Sequence, residues 1–450
     1  GNRHLLVCKG AVDEMLAVCN GAYDPGPDHR LDVSMDAVLP LNEDVRERIR
    51  TLNARLQEDG MRVLLIAVKV LHDHSGVYTK SDEADLTLIG CIAFLDPAKP
   101  SAAGSLRALE ELGVSVVVLT GDSEVVTRKI CRDVGLQAYP VIHGNDIDVL
   151  SDEALVSRVL ESRVCVKLSP LQKRRIVNAL QKAEYTVGFL GDGINDAPSL
   201  HAADVGISVD TAANTAKESA DIIMLEKDLH VLVDGVREGR RTFGNIMKYM
   251  KMAASSNFGN VFSMMGASVL LPFLPMLPLH ILIQNLLYDI SQISIPWDVM
   301  DEEYVHQPHT WNAHTISRFM LWMGPVSSVF DFVTFALLWF AFGFASLQKQ
   351  SFFHAGWFME SMLTQVVIIH LIRTTKIPFV QSRASLPVVV MSLLIAGVAL
   401  VLPYSCSAEA VQLSPPPLSF FPALLLILSC YAICVHFVKK TYIHRFSEWI

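Results

Sequence analysis

The feature that most constrains this chain is where its charges sit. Residues 253–450 hold 17 of the 83 Asp, Glu, Lys and Arg, and the preceding 252 hold the rest. A polar front and an oily back require two different environments, and a hydrophobic fraction of 51% is high for an ordinary soluble domain. In the back, six stretches reach the roughly 20 apolar residues that a bilayer crossing demands: 253–271, 277–296, 319–347, 356–372, 386–404 and 418–438. Short polar loops join them, so the sequence predicts six transmembrane helices.

Loop charges orient these spans, because Lys and Arg collect on the cytoplasmic side. Lys248 and Lys251 precede the first span, Arg318 follows the second, and Arg373, Lys376 and Arg383 follow the fourth. Lys439, Lys440 and Arg445 close the sixth, whereas the opposite face carries only Lys349. Both ends of the oily half are therefore expected in the cytoplasm. Polar groups inside spans are costly and point to function. Asn257 and Asn260 lie in the first span, and Gln284, Asn285, Asp289 and Gln292 in the second. Asp331, Glu360 and His370 are scattered in later spans. The density in the first two spans suggests a cation path, with oxygen ligands suited to Mg²⁺ or Ca²⁺.

The front half alternates short β-branched runs with helical stretches from residue 86 onward. Strands are expected at 87–95, 114–120, 164–168, 186–190, 205–209 and 222–225, which reads as a doubly wound parallel sheet. Ser101 is expected to cap a helix over 102–112, and Ser169-Pro170 to open another. Sites in such sheets sit beyond the carboxyl ends of the strands. Thr120-Gly121-Asp122 follows one strand and suits a phosphate. Gly191-Asp192-Gly193-Ile194-Asn195-Asp196 follows another, with two carboxylates on one tight turn suited to Mg²⁺. Between them Lys173, just after Ser169-Pro170-Leu171-Gln172, could neutralise a transferring phosphoryl group.

This ordered set resembles the P-type cation-transporting ATPases, whose phosphorylation domain is of the haloacid-dehalogenase type. Lys9-Gly10-Ala11 resembles the family's KGA nucleotide motif and Gly60-Met61-Arg62-Val63-Leu64 its second nucleotide-contacting stretch. Asp96-Pro97-Ala98-Lys99 resembles its hinge, with Ala98 in place of a second Pro. Ser255-Ser256-Asn257-Phe258-Gly259-Asn260, the run from Gln284 to Gln292, and Pro296-Trp297-Asp298 look most like the bacterial magnesium-importing subgroup. The resemblance implies ATP contacts at Lys9, Gly10 and Arg62, a phosphoryl cradle at Thr120 and Gly121, and Asp122 near the nucleotide. It implies charge neutralisation by Lys173 and catalytic Mg²⁺ on Asp192 and Asp196, with Asn195 completing that site. The polar groups of the first two spans, reached by the helix that runs into them, put the expected transport site at Asn257, Asn285 and Asp289. The family's DKTGT nucleophile motif and TGES loop occur nowhere in these 450 residues. The chain alone is therefore expected to be inactive.

The domain organisation implied is the end of an α+β nucleotide-binding domain (1–85), a phosphorylation domain without its first strand (86–228), a stalk helix (229–252) and a six-helix membrane domain (253–450). The partners implied are ATP, a divalent cation (Mg²⁺ first, Ca²⁺ as alternative) and the lipid bilayer of an inner cell membrane. A non-catalytic regulator and a membrane-tethered phosphatase are the competing readings. The net charge of −9 argues against nucleic acid. The eight Cys show no metal or disulfide spacing, which fits a reducing compartment.

Overall fold

The computed structural model describes residues 3–23, 38–72, 78–95 and 97–449, so Asp96 of the expected hinge lies outside the described residues. It divides into two units, Gly1–Val233 and Asp234–Ile450.

The first unit opens with strand β1 (Arg3–Gly10), helix α1 (Val12–Val18), β2 (Cys19–Tyr23), β3 (Val38–Pro40), α2 (Glu43–Glu58), β4 (Met61–His72) and β5 (Leu86–Leu95). These strands form one mixed sheet in the order β1-β4-β5-β2-β3. Alternation along β4 buries Val63, Leu65 and Ala67 against Met15 and Leu16 of α1 and Leu86 and Leu88 of β5. β5 corrects one expectation. The run 87–95 reads as a strand of the parallel sheet, but it pairs antiparallel with β4 from Met61↔Leu95 to Val68↔Thr87. A β-branched run identifies a strand, not its neighbour.

The rest of this unit comprises α3 (Ala102–Glu111), β6 (Val118–Leu119), α4 (Glu124–Asp133), β7 (Ile142–His143), α5 (Gly144–Val149), α6 (Asp152–Ser162), β8 (Val164–Val166), α7 (Pro170–Lys182), β9 (Gly188–Leu190), α8 (Ala197–Ala202), β10 (Val205–Val209), α9 (Asn214–Glu218) and β11 (Ile222–Met224). Instead of one doubly wound sheet, the strands make two three-stranded parallel sheets, β6-β8-β7 and β11-β10-β9. β6 and β9 are edge strands, and no described strand joins them. Leu119 of β6 nevertheless packs into the apolar clusters of both α7 faces, with Ile176 in one and Val177 and Phe189 in the other. Ser169 caps α7 as expected, and Gln172 makes the cap reciprocal: each side chain accepts the other's backbone N–H, at 3.3 and 2.9 Å. Ser101 does not cap α3. Its hydroxyl donates instead to Asp228 at 2.9 Å.

The second unit is helical. α10 (His230–Leu270) is one unbroken 41-residue helix. It is followed by α11 (Pro278–Gln292), α12 (Glu302–Val305), α13 (Ala313–Ala336), α14 (Gln350–Ile372), α15 (Leu386–Val401) and α16 (Phe420–Phe446). Four segments among the described residues are long and apolar enough to cross a membrane: Ala313–Ala341, Leu347–Ile372, Leu386–Tyr404 and Phe420–Phe446. α14 is the central one, buried on every side among the others. Small residues set the α10–α13 crossing. A Cβ on Gly324 would lie 2.6 Å from Phe258, and Ser328 donates to the Gly259 carbonyl at 3.0 Å.

At one end of this bundle, fully buried Lys248 and Arg373 converge on Asp298. Lys248 Nζ and Arg373 Nε each lie 2.8 Å from its Oδ2, and Ser385 N donates to its Oδ1 at 3.3 Å. Asn245 adds hydrogen bonds of 3.1 Å to the carbonyls of Pro296 and Asp298. Burial alone would raise the Asp298 pKa, but Lys248 and Arg373 outweigh it and hold the carboxyl below its ordinary range. α10 is thereby fastened to the 296–299 turn and to the loop after α14.

Candidate functional site

Three motif residues gather at the strand ends of the first unit. The tight turn after β9 exists because Gly191 lacks a side chain: a Cβ there would lie 2.6 Å from Cβ of Asp196. The turn is tied to β10, with Gly191 N donating to Ile207 O at 3.1 Å and Ser208 Oγ to Gly191 O at 2.9 Å. Asp196 is then fully engaged. Its Oδ1 receives Lys173 Nζ at 2.8 Å and its Oδ2 receives Gly193 N at 3.3 Å. Both side chains of the Lys173–Asp196 pair are about 15% exposed, so water screens this pair little. Asp192 faces outward, with Oδ2 2.7 Å from Lys227 Nζ. Asn195 is exposed beside it.

The Thr120-Gly121-Asp122 loop follows β6. Thr120 N donates to Cys165 O at 3.0 Å, its carbonyl accepts Leu168 N at 3.0 Å, and its hydroxyl accepts Asp122 N at 3.1 Å. Lys167, with φ at 52°, donates its N–H to Asp122 O at 3.0 Å and fixes the far side of the loop. The Asp122 carboxylate is ion-paired with Arg62 of β4. The sheet and the loop, separated by 60 residues, therefore meet through two motif residues. On the sheet itself Lys9 pairs across with Ile66. Two-residue alternation then puts Lys9 and Arg62 on the same face, opposite the buried face of Val63 and Leu65. Gly10 closes β1, where a Cβ would press on Met15 at 3.0 Å.

For Mg²⁺, the donor set fits a solvated site. Among the described residues no three His, Cys, Asp or Glu cluster as metal ligands. Mg²⁺ commonly takes one or two carboxylates and keeps waters or phosphate oxygens for the rest. Asp192 is the carboxylate that can turn to such an ion. Asp196 is held by Lys173 and Gly193 and acts on the geometry of the lysine. Two contributors escaped the sequence reading: Lys227, which neutralises Asp192 from just beyond β11, and Lys167, whose left-handed backbone fixes the loop.

The expected transport residues all sit on outward faces. Asn257 of α10 and Asn285 and Asp289 of α11 are exposed, while Gln284, Tyr288 and Gln292 point inward. Asp289 lines a cavity of about 620 Å³ shared by α10 and α11 with Thr242, Tyr249, Leu286 and Ile293.

Comparison with known proteins follows the same division. Residues 273–441 match the family described as cation transporting ATPase, C-terminus, and residues 21–204 match haloacid dehalogenase-like hydrolase. The chain is 50% identical to the magnesium-transporting ATPase, P-type 1, of Salmonella typhimurium over 447 residues, 99% of this chain and 48% of that protein. It is 48% identical to the Escherichia coli K12 protein of the same name over 444 residues, again 99% and 48%. A calcium-transporting ATPase of Listeria monocytogenes is 29% identical over 286 residues, 63% of this chain and 31% of that protein. The chain thus spans about half the length of the magnesium-transporting relatives it matches.

Proposed function

With this chain identified as the C-terminal region of a P-type ATPase, we propose that it serves ATP-driven Mg²⁺ transport through an aspartyl-phosphate intermediate whose acceptor Asp lies outside these residues. The observation that carries this reading is the Lys173–Asp196 pair beside the Asp192 turn, a fixed cation and an available carboxylate at one strand end. Phosphoryl transfer depends mainly on such positioning and neutralisation.

Each motif then has a role. The mixed sheet of residues 3–95 forms part of the nucleotide-binding domain, with Lys9, Gly10 and Arg62 on the ATP. Arg62 carries the nucleotide side to Asp122, and Thr120 and Gly121 cradle the phosphoryl oxygens. Lys173, aimed by Asp196, neutralises charge as it develops. Asp192 and Asn195 would hold the catalytic Mg²⁺, which would supply neutralising charge for the phosphate oxygens. The open edges of β6 and β9 accommodate the strand that brings the acceptor Asp, which accounts for one expected sheet dividing into two. This chain alone is then inactive.

In the membrane, the four apolar helices are joined by the 253–270 part of α10 and by α11, giving six spans with both ends in the cytoplasm. α11 is only 15 residues long and carries Asp289, as befits a helix lining a cation path rather than facing lipid. Asn257, Asn285 and Asp289 supply the transport ligands from the outward faces of α10 and α11. Magnesium-dependent growth rescue by the full-length protein tests this. Asp289→Asn is expected to abolish rescue while leaving membrane insertion intact. Rescue at the wild-type level, or stimulation of ATP hydrolysis by Ca²⁺ in place of Mg²⁺, would overturn the assignment.

A further inference from the structure

The membrane-bundle core contains an acidic pair that none of these roles uses. Asp331 of α13 and Glu360 of α14 are 1% and 0% exposed. Trp357, one turn before Glu360 on α14, donates to Asp331, which brings the two acids to the same level of the α13–α14 contact. Asp331 is well served by donors: Ser263 Oγ from α10 at 2.6 Å on Oδ2, and Trp357 Nε1 from α14 at 2.8 Å on Oδ1. Glu360 is not, since neither of its carboxyl oxygens has any partner among the described groups. Tyr431 of α16, also buried, packs edge-on against Phe330, the neighbour of Asp331, and adds a fourth helix.

Two ionised carboxylates cannot hydrogen-bond, since both only accept. Side by side in a bundle core, they would also repel at low dielectric with nothing to offset the loss of water. Something positive must lie between them. The fixed groups around Asp331 are an O–H and an N–H, whose positive ends point at the carboxylate. That arrangement complements an anion and opposes a metal ion, which would need further oxygen acceptors. Among the described residues no third acidic, His or Cys ligand joins the pair. We propose that Asp331 and Glu360 form a proton-binding site, with Glu360 as the acid donating to an Asp331 carboxylate that Ser263 and Trp357 hold in place. One proton then satisfies the orphaned glutamate and ties α13 to α14.

Infrared difference spectroscopy on the full chain in lipid nanodiscs tests the site. Wild type is expected to show a protonated-carboxyl C=O band that shifts in D₂O, is lost in Glu360→Gln, and does not respond to Mg²⁺. Glu360→Gln, whose amide can still donate to Asp331, is expected to keep the wild-type melting temperature, whereas Asp331→Asn lowers it. Absence of the band in wild type would overturn the proposal. So would its loss on adding Mg²⁺ to wild type, since the carboxylates would then be metal ligands; that arm needs no variant to fold.

Discussion

Replacing Asp298 by Asn should destabilise the helical unit more than any other single polar substitution at that end of the bundle. The carboxylate is shared by two cations that have no other charge partner at hydrogen-bond distance among the described residues: Lys248 at 2.8 Å and Arg373 at 2.8 and 3.1 Å. All three residues are at most 3% exposed, so the variant leaves two buried positive charges facing an amide. Breaking one buried pair costs about 3–5 kcal/mol, and two cations on one carboxylate argue for the upper end. At about 2–4 °C per kcal/mol for a unit of this size, the midpoint should fall by roughly 10–20 °C. Thermal unfolding in detergent, followed by the intrinsic fluorescence of buried Trp449 and Trp357, is the assay. Lys248→Met in the Asp298→Asn background should recover part of the loss, because one stranded charge is removed with its partner. The sign of the pH dependence follows from the depressed folded-state pKa of Asp298. Its contribution is complete above the unfolded carboxyl value of about 3.9 and is lost as pH falls through the lower folded value. An Asp298→Asn midpoint within 2 °C of wild type would refute the hub.

Three further outcomes are expected. Gly191→Ala should displace Asp196 and free Lys173, giving at least a tenfold loss of turnover in the full-length protein with nucleotide binding unchanged; normal turnover would mean that the turn tolerates a Cβ. Arg62→Ala should weaken nucleotide binding several-fold in a fluorescent-nucleotide titration, and no change would remove Arg62 from the ATP contacts. Exposed Cys406, in the loop after α15, should be labelled by a membrane-impermeant thiol reagent from outside intact cells; labelling only after lysis would invert the topology.

Local motifs were the legible part of this fold. The Ser169–Gln172 cap and the Gly191 turn are written within four to six residues, so their geometry follows from residue type. Pairing over distance was not legible. The 87–95 run has the same composition whether it joins β4 or β6, and only the structure assigns it to β4. Helical spacing separates Asn285 and Asp289 from Gln284 and Tyr288 by face, a distinction the sequence reading did not draw. It did not say which face turns inward, because amide and carboxylate chemistry suits either a core network or a cation path. Lys227 reaches Asp192 from 35 residues away, and Asp331 finds Glu360 across two helices. Neither meeting leaves a periodic signal in sequence.

In the proposed function these residues handle the phosphoryl group without supplying its acceptor. The direct measurement is incorporation of radiolabelled phosphate from ATP into an acid-stable, hydroxylamine-labile form, comparing this 450-residue chain with the full-length protein. No incorporation is expected in the chain alone, with Mg²⁺-dependent incorporation in the full-length protein and loss of that incorporation in Asp192→Ala. Aspartyl phosphate formed on the isolated chain, or wild-type incorporation in full-length Asp192→Ala, would contradict the proposed function.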